Sequence, residues 1–156
     1  MALLRNCYRD KAAVFRRQDD LISTLAYFKT LPNIVFDRIG TVGFCAGGGN
    51  AWQFAVAVEE LAASVPFYGS PVPSVDDIDR IKAPTLAIYA ELDRTLSTQM
   101  APVKIAMLQQ QKTFGFVVYQ EVNHAFHNDT SPAYNAEAAC DAWARTVTWL
   151  NKFLLR

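Results

Sequence analysis

Segments with apolar residues at helical spacing take turns along this chain with short, continuously apolar runs bounded by glycine, proline or polar clusters. From Asp19 to Lys29 the residues Leu21, Ile22, Leu25 and Phe28 share one helical face, and Pro32 stops the run. Arg38 to Phe44 reads as a buried strand that runs straight into Cys45-Ala-Gly-Gly-Gly49, and the alanine-rich stretch from Asn50 to Glu60 reads as a helix. Ala62 to Tyr68 and Pro84 to Tyr89 are expected as the second and third strands, with one helical turn around Val75 to Ile81 between them. After the polar loop Glu91-Leu-Asp-Arg94 a helix is expected to about Gln111, with Met100, Val103 and Met107 on one face. Pro102 belongs in its first turn, because deeper in a helix it would cost about 3 kcal/mol. Phe114 to Tyr119 is the fourth strand, and a last helix carries the apolar stripe Ala139, Trp143, Val147, Leu150, Leu154. This alternation predicts a single α/β domain over residues 1–156, with a mostly parallel sheet and helices on both faces.

Composition narrows the choice. At 51% hydrophobic residues the chain can build a real core, which excludes disorder and a disulfide-stapled miniprotein. Fifteen basic residues balance fifteen acidic ones, so the cationic footprint of a nucleic-acid binder is missing. Cys7, Cys45 and Cys140 are odd in number and widely spaced, which fits neither a disulfide framework nor a CxxC metal site and points to a reducing, cytoplasmic compartment. The apolar start Met1-Ala-Leu-Leu is too short for a signal peptide, and no apolar run reaches the roughly 18 residues of a membrane span.

The chemistry concentrates at Gly43-Phe-Cys-Ala-Gly47. A glycine-flanked residue between a strand and a helix is forced onto a sharp turn above the sheet, and the glycines are expected where Cβ atoms would strike neighbouring backbone. The Cys45 sulfur then sits at a helix N-terminus, where the dipole favours a thiolate, and the Ala46 N–H points to where an oxyanion would form. Taken alone, the same pentapeptide also fits an inert buried cysteine. Gly47-Gly-Gly49 completes no phosphate-binding motif, since no Lys-Ser or Lys-Thr follows. Asp93 lies just past the third strand and His124 just past the fourth, the chain order of nucleophile, acid and histidine. Separately, Asp93 could cap the next helix and His124 could be an ordinary loop histidine. Together, at successive carboxyl ends of parallel strands, they can converge on Cys45 as a triad. His127, in the same loop as His124, could compete as the base but reads rather as a neighbour or a surface residue, and Cys7 and Cys140, lacking a glycine turn, read as structural.

Four stretches, Ile39-Gly-Thr-Val-Gly-Phe-Cys-Ala-Gly-Gly48, Pro66-Phe-Tyr-Gly69, Ala90-Glu-Leu-Asp93 and Asn123-His-Ala-Phe126, resemble the dienelactone hydrolase family, a cysteine branch of the α/β-hydrolase fold. The tail from Tyr134 to Arg145 resembles the family's last helix, and the likeness is traced from Arg16 onward. The resemblance implies a Cys45, Asp93, His124 triad and cleavage of a lactone or small ester through an acyl-cysteine, without metal or organic cofactor. It also implies that the chain is the C-terminal part of the fold. The family's first third, with a second oxyanion donor, an activating glutamate and a substrate-binding arginine, finds no counterpart. Where the family carries a further arginine after the histidine, this chain has His127, Asn128 and Asp129, so a neutral ester is easier to accommodate than an anionic one.

Two rival classes remain. Glutamine amidotransferases also use a cysteine elbow, but pair it with His-x-Glu, whereas Ala125-Phe126 follows His124 here. A non-catalytic binding or assembly protein could keep the elbow as a relic. With no strand upstream, Ile39 to Phe44 would be an apolar sheet edge, which tends to pair with another chain. A homodimer through that edge, or a strand exchange, is therefore expected, and light scattering after size exclusion should give twice the chain mass at micromolar concentration; the mass of a single chain would remove the idea.

Overall fold

The computed structural model describes residues 11–155, so Cys7 and the Met1 segment lie outside it. The chain forms two compact units, Met1–Phe36 and Asp37–Arg156. In the first, helix α1 spans Lys11–Phe28, eight residues more at its start than the apolar spacing shows. The run Arg16-Arg17-Gln18-Asp19-Asp20 interrupts the periodicity there, so only the last turns announce themselves. Its end is tied off locally, Lys29 N–H donating to the Leu25 carbonyl at 3.1 Å and Thr30 Oγ1 to the Tyr27 carbonyl at 2.8 Å.

The second unit runs β1 (Gly40–Phe44), α2 (Ala46–Ala57), β2 (Ala63–Phe67), β3 (Thr85–Ala90), α3 (Arg94–Gln109), β4 (Phe114–Tyr119) and α4 (Ala136–Leu154). The four strands lie side by side in the order of the chain, and every pair is parallel. β2 and β3 are buried at every position, as their unbroken apolar sequences require of central parallel strands. The pleat sends Ser64, Thr85, Ala87, Tyr89 and Phe116 to one face, and Val65, Phe67, Leu86, Ile88 and Gly115 to the other.

Helices α2 and α3 cover the first face. Trp52 Nε1 of α2 donates to Tyr89 Oη at 3.0 Å, and the Lys104 ammonium of α3 stands 5.0 Å over the Phe116 ring. Helix α4 covers the second face. Trp149 Nε1 donates to the Pro84 carbonyl at 3.3 Å, and the Tyr119 hydroxyl donates to Asp141 at 2.6 Å. Gly115 leaves room for that packing, since a Cβ there would come within 2.8 Å of Leu86 and 3.3 Å of Trp149. Arg145 and Tyr119 together hold the Asp141 carboxyl below its ordinary range. No described helix is long and apolar enough to cross a membrane.

The α/β class, the parallel sheet and the flanking helices agree with the sequence pattern. The narrower expectation, that only the C-terminal part of an α/β-hydrolase fold is present, is corrected: ordered elements occupy the chain from Lys11 to Leu154, and α1 begins well upstream of Asp19. Two local expectations also fail. Pro102 lies inside α3 rather than in its first turn. It is exposed, as is Thr98, so water can take the Thr98 carbonyl that proline leaves without a donor. The last helix buries Ala138, Ala139, Ala142, Thr146 and Phe153, while Trp143 and Val147 of the expected stripe face outward at 47% and 40% exposure. Small residues near its start let α4 approach the sheet closely, while Trp149 and Phe153 further along also pack inward.

The Tyr89 hydroxyl receives Trp52 Nε1–H and itself donates to the Gly69 carbonyl at 3.2 Å, all inside the core. Tyr89→Phe should strand both partners and destabilise the fold by about 2 kcal/mol in urea unfolding. An unchanged midpoint would show that neither bond contributes.

Candidate active site

Parallel strands place all their carboxyl ends on one side, so the segments following β1, β2, β3 and β4 open on the same edge of the sheet. They bring Cys45, Tyr68, Asp93 and His124. Cys45 stands between β1 and α2 with φ 55° and ψ −119°, a strained backbone for a residue with a side chain. Two hydrogen bonds hold it there. Its N–H donates to the Phe67 carbonyl at 3.1 Å, and its carbonyl accepts Gly49 N–H at 3.1 Å, opening helix α2.

The bend is as tight as expected at Gly43, where a Cβ would overlap the Gly47 carbonyl. At Gly47 the expectation fails, because a Cβ there meets nothing within 4 Å. The crowding falls instead on Gly48 and Gly49, which press against the backbone after β2 at Phe67 and Ser70. The result is an exposed Cys45 thiol at a helix start, where the first-turn N–H groups of Ala46 and Gly47 have no acceptor within the helix.

Asp93 occupies the N-cap position of α3 yet makes no side-chain cap. Its Oδ2 instead accepts His124 Nδ1–H at 2.5 Å, across 31 residues of chain. A carboxylate on Nδ1 fixes the proton there and leaves Nε2 with its lone pair. The carboxylate side chain is 14% exposed and the imidazole 38%, so the acid is sheltered and the ring reaches solvent.

Tyr68 joins the two halves. Its ring lies 4.8 Å from that of His124 and 5.5 Å from the fully buried Phe126. Burial, and after it the charge of Cys45, push its phenol up to about 12, against a hydrogen bond from the His127 backbone. Cys45, Tyr68 and Ala125 line a cavity of about 300 Å³ with Phe44, His127 and Asn128. Five described non-glycine residues have positive φ, and three of them, Cys45, Tyr68 and Ala125, meet at this cavity. Backbone strain gathered at one cleft marks a site built for something other than stability.

Of the residues expected from sequence, Asp93 and His124 are joined directly, and Cys45 shares the cavity with the histidine's own loop. Among the described residues no hydrogen bond joins the Cys45 thiol to His124. Ala46 is at the helix start beside Cys45. Cys140 is exposed, on α4. Tyr68 was legible only as part of Pro66-Phe-Tyr-Gly69 at a strand end; nothing local announces that its ring spans cysteine and histidine.

A parallel α/β sheet with a strained nucleophile-type turn at a strand end defines the class. The chain matches the model of the dienelactone hydrolase family over residues 5–154, and it belongs to that family. It is 34% identical over 144 residues to a Methylorubrum extorquens protein named carboxymethylenebutenolidase, covering 86% of this chain and 50% of that one. A protein of the same name from Saccharolobus solfataricus is 36% identical over 115 residues, 74% of this chain and 44% of its own. Among solved structures, one described as a dienelactone hydrolase from Klebsiella pneumoniae overlays with a TM-score of 0.79 at 27% identity, covering 87% of this chain and 60% of that one. A dienelactone hydrolase-like phosphotriesterase from metagenomic libraries covers 97% of this chain and 66% of its own, with a TM-score of 0.78 at 21% identity, a likeness of fold.

These matches correct the reading of the chain as a C-terminal remnant whose likeness begins at Arg16. The likeness takes in nearly all 156 residues, the charged start of α1 included, where apolar spacing gave no signal. The chain spans about half the length of the curated relatives it matches.

The raised phenol of Tyr68 carries a pH consequence. The unfolded state loses this proton near pH 10, the folded state only near 12, so stability is whole below pH 10 and falls as pH rises toward 12. Tyr68→Phe should therefore flatten the loss of urea midpoint between pH 10 and 11.5 relative to the parent. Parallel curves for the two proteins would contradict the burial of the phenol.

Proposed function

We propose that this chain is a hydrolase of lactones or small carboxylic esters, with Cys45 as nucleophile, His124 as general base and acid, and Asp93 as the group that orients the imidazole. The observation that carries the reading is Asp93: it leaves its own helix uncapped and binds His124 from a different loop, beside a strained, exposed cysteine. Such a pairing fixes the tautomer in which Nε2 can take a proton, and it has no comparable value in a merely structural turn. The names carried by the relatives, carboxymethylenebutenolidase and, in a Bradyrhizobium protein, a lactonase, agree with this substrate class.

His124 Nε2 takes the thiol proton, and the sulfur attacks the acyl carbon, forming a C–S bond while the carbonyl electron pair moves to oxygen. The Ala46 N–H, at the start of α2, stabilises that oxyanion. When the pair returns, the C–O bond to the alcohol breaks and the departing oxygen takes the proton from Nε2. Water, deprotonated by His124, then cleaves the thioester and releases the acid, and the sulfur recovers its proton. Hydrogen bonds between nucleophile and base are commonly long in a free enzyme and tighten when substrate binds, so the mechanism does not require a standing bond from Cys45 to His124.

The free thiols at Cys45 and Cys140 suit a reducing, cytoplasmic setting. Among the described residues β1 has a strand neighbour on one side only, which suits pairing with a second copy.

With p-nitrophenyl acetate, the parent should release p-nitrophenol with an acyl-enzyme burst. Cys45→Ala should lose the burst, and Asp93→Asn should lower kcat by about 10²- to 10⁴-fold through the wrong tautomer. Turnover that survives Cys45→Ala would remove the cysteine mechanism. A parent that hydrolyses neither this ester nor simple lactones would point to a binding or assembly role.

A further inference from the structure

We propose that exposed aromatic rings beside Cys45 form a subsite for the alcohol portion of the ester, and that it selects an uncharged aromatic alcohol. The inference rests on the hydrolase reading and adds the substrate class. Its basis is a second cavity of about 450 Å³ that meets the first at His127. Tyr134, Cys140 and Trp143 line this outer cavity, and Asp129 stands in it. Phe44, Tyr134 and Trp143 are 39%, 43% and 47% exposed, although large apolar rings gain by leaving water. The His127 ring lies between the lobes, 5.2 Å from Phe44 and 5.9 Å from Trp143, so the aromatic surface is continuous from the nucleophile outward.

A planar guest seated against Trp143 and His127 would cover these faces while its ester carbon stays at Cys45. In this proposal the smaller lobe, holding Cys45, takes the acyl group, and the roomier outer one takes the alcohol. Asp129 sets the charge, since its carboxylate repels an anionic alcohol, and nothing in the ring surface requires a cation. Trp143 is thereby explained. The apolar periodicity of α4 assigns it to the core, yet it faces the cavity.

The test compares 2-naphthylmethyl acetate with ethyl acetate, whose alcohols leave with similar ease, so a difference reports binding. The parent should favour the aromatic ester in kcat/KM by about 10-fold or more, stacking of one ring pair supplying about that factor. Trp143→Ala should erase most of the preference, Trp143→Phe should keep part of it, and Ile105→Ala, an exposed apolar residue on α3, should leave the ratio as it is.

A second readout needs no turnover. In Cys45→Ala, 2-naphthylmethanol should slow alkylation of Cys140 by iodoacetamide, read by mass spectrometry, and ethanol at the same concentration should not. Protection without hydrolysis by the parent would keep the aromatic subsite and overturn the hydrolase reading. Hydrolysis with no preference and no protection would overturn the subsite alone.

Discussion

The bend at Cys45 is the constraint on which the rest depends. Strand β1 must end, turn and start helix α2 within about one residue, and it does so with Cys45 at a backbone angle that side chains rarely adopt. That turn is possible because Gly43 has no Cβ to strike Gly47, and because Gly48 and Gly49 let the helix press against the segment after β2. The same compression fixes where α2 starts, directly after Cys45. A looser turn would move the thiol away from both the helix start and the cavity. Local strain is thus offset by the buried β2 and β3 that anchor the bend from below.

The second organising choice is that of Asp93. At a helix N-cap its carboxylate has a ready local partner in the backbone, and capping is commonly worth about 1 kcal/mol. The chain forgoes it for the imidazole of His124. Tyr68 then closes the arrangement from the β2 end, its ring against His124 and its phenol kept neutral by burial. Residues from separate loops come together here because parallel strands end on one edge of the sheet.

Legibility differed between elements for identifiable reasons. β2 and β3 were plain, since central parallel strands are buried on both faces and carry uninterrupted apolar runs. The start of α1 was hidden by its run of charged residues, and with it the true extent of the family likeness. The outer side of α4 misled because Trp143 and Val147 recur at helical spacing without being core. Periodicity reports that a face is apolar, and it does not report what the face meets. Pro102 misled in the opposite sense, because its cost falls when water can reach the freed carbonyl.

The alternation of elements, the elbow, and the order of cysteine, acid and histidine follow from the chain's local pattern, because each depends on residues near in the chain or on residue type. Tertiary structure alone decided that Asp93 turns from its helix to His124, that Tyr68 spans the cleft, and that the rings of Phe44 and Trp143 meet across His127. Those outcomes depend on which side chains strand order and helix rotation bring together, and no local preference encodes a distance between residues so far apart along the backbone.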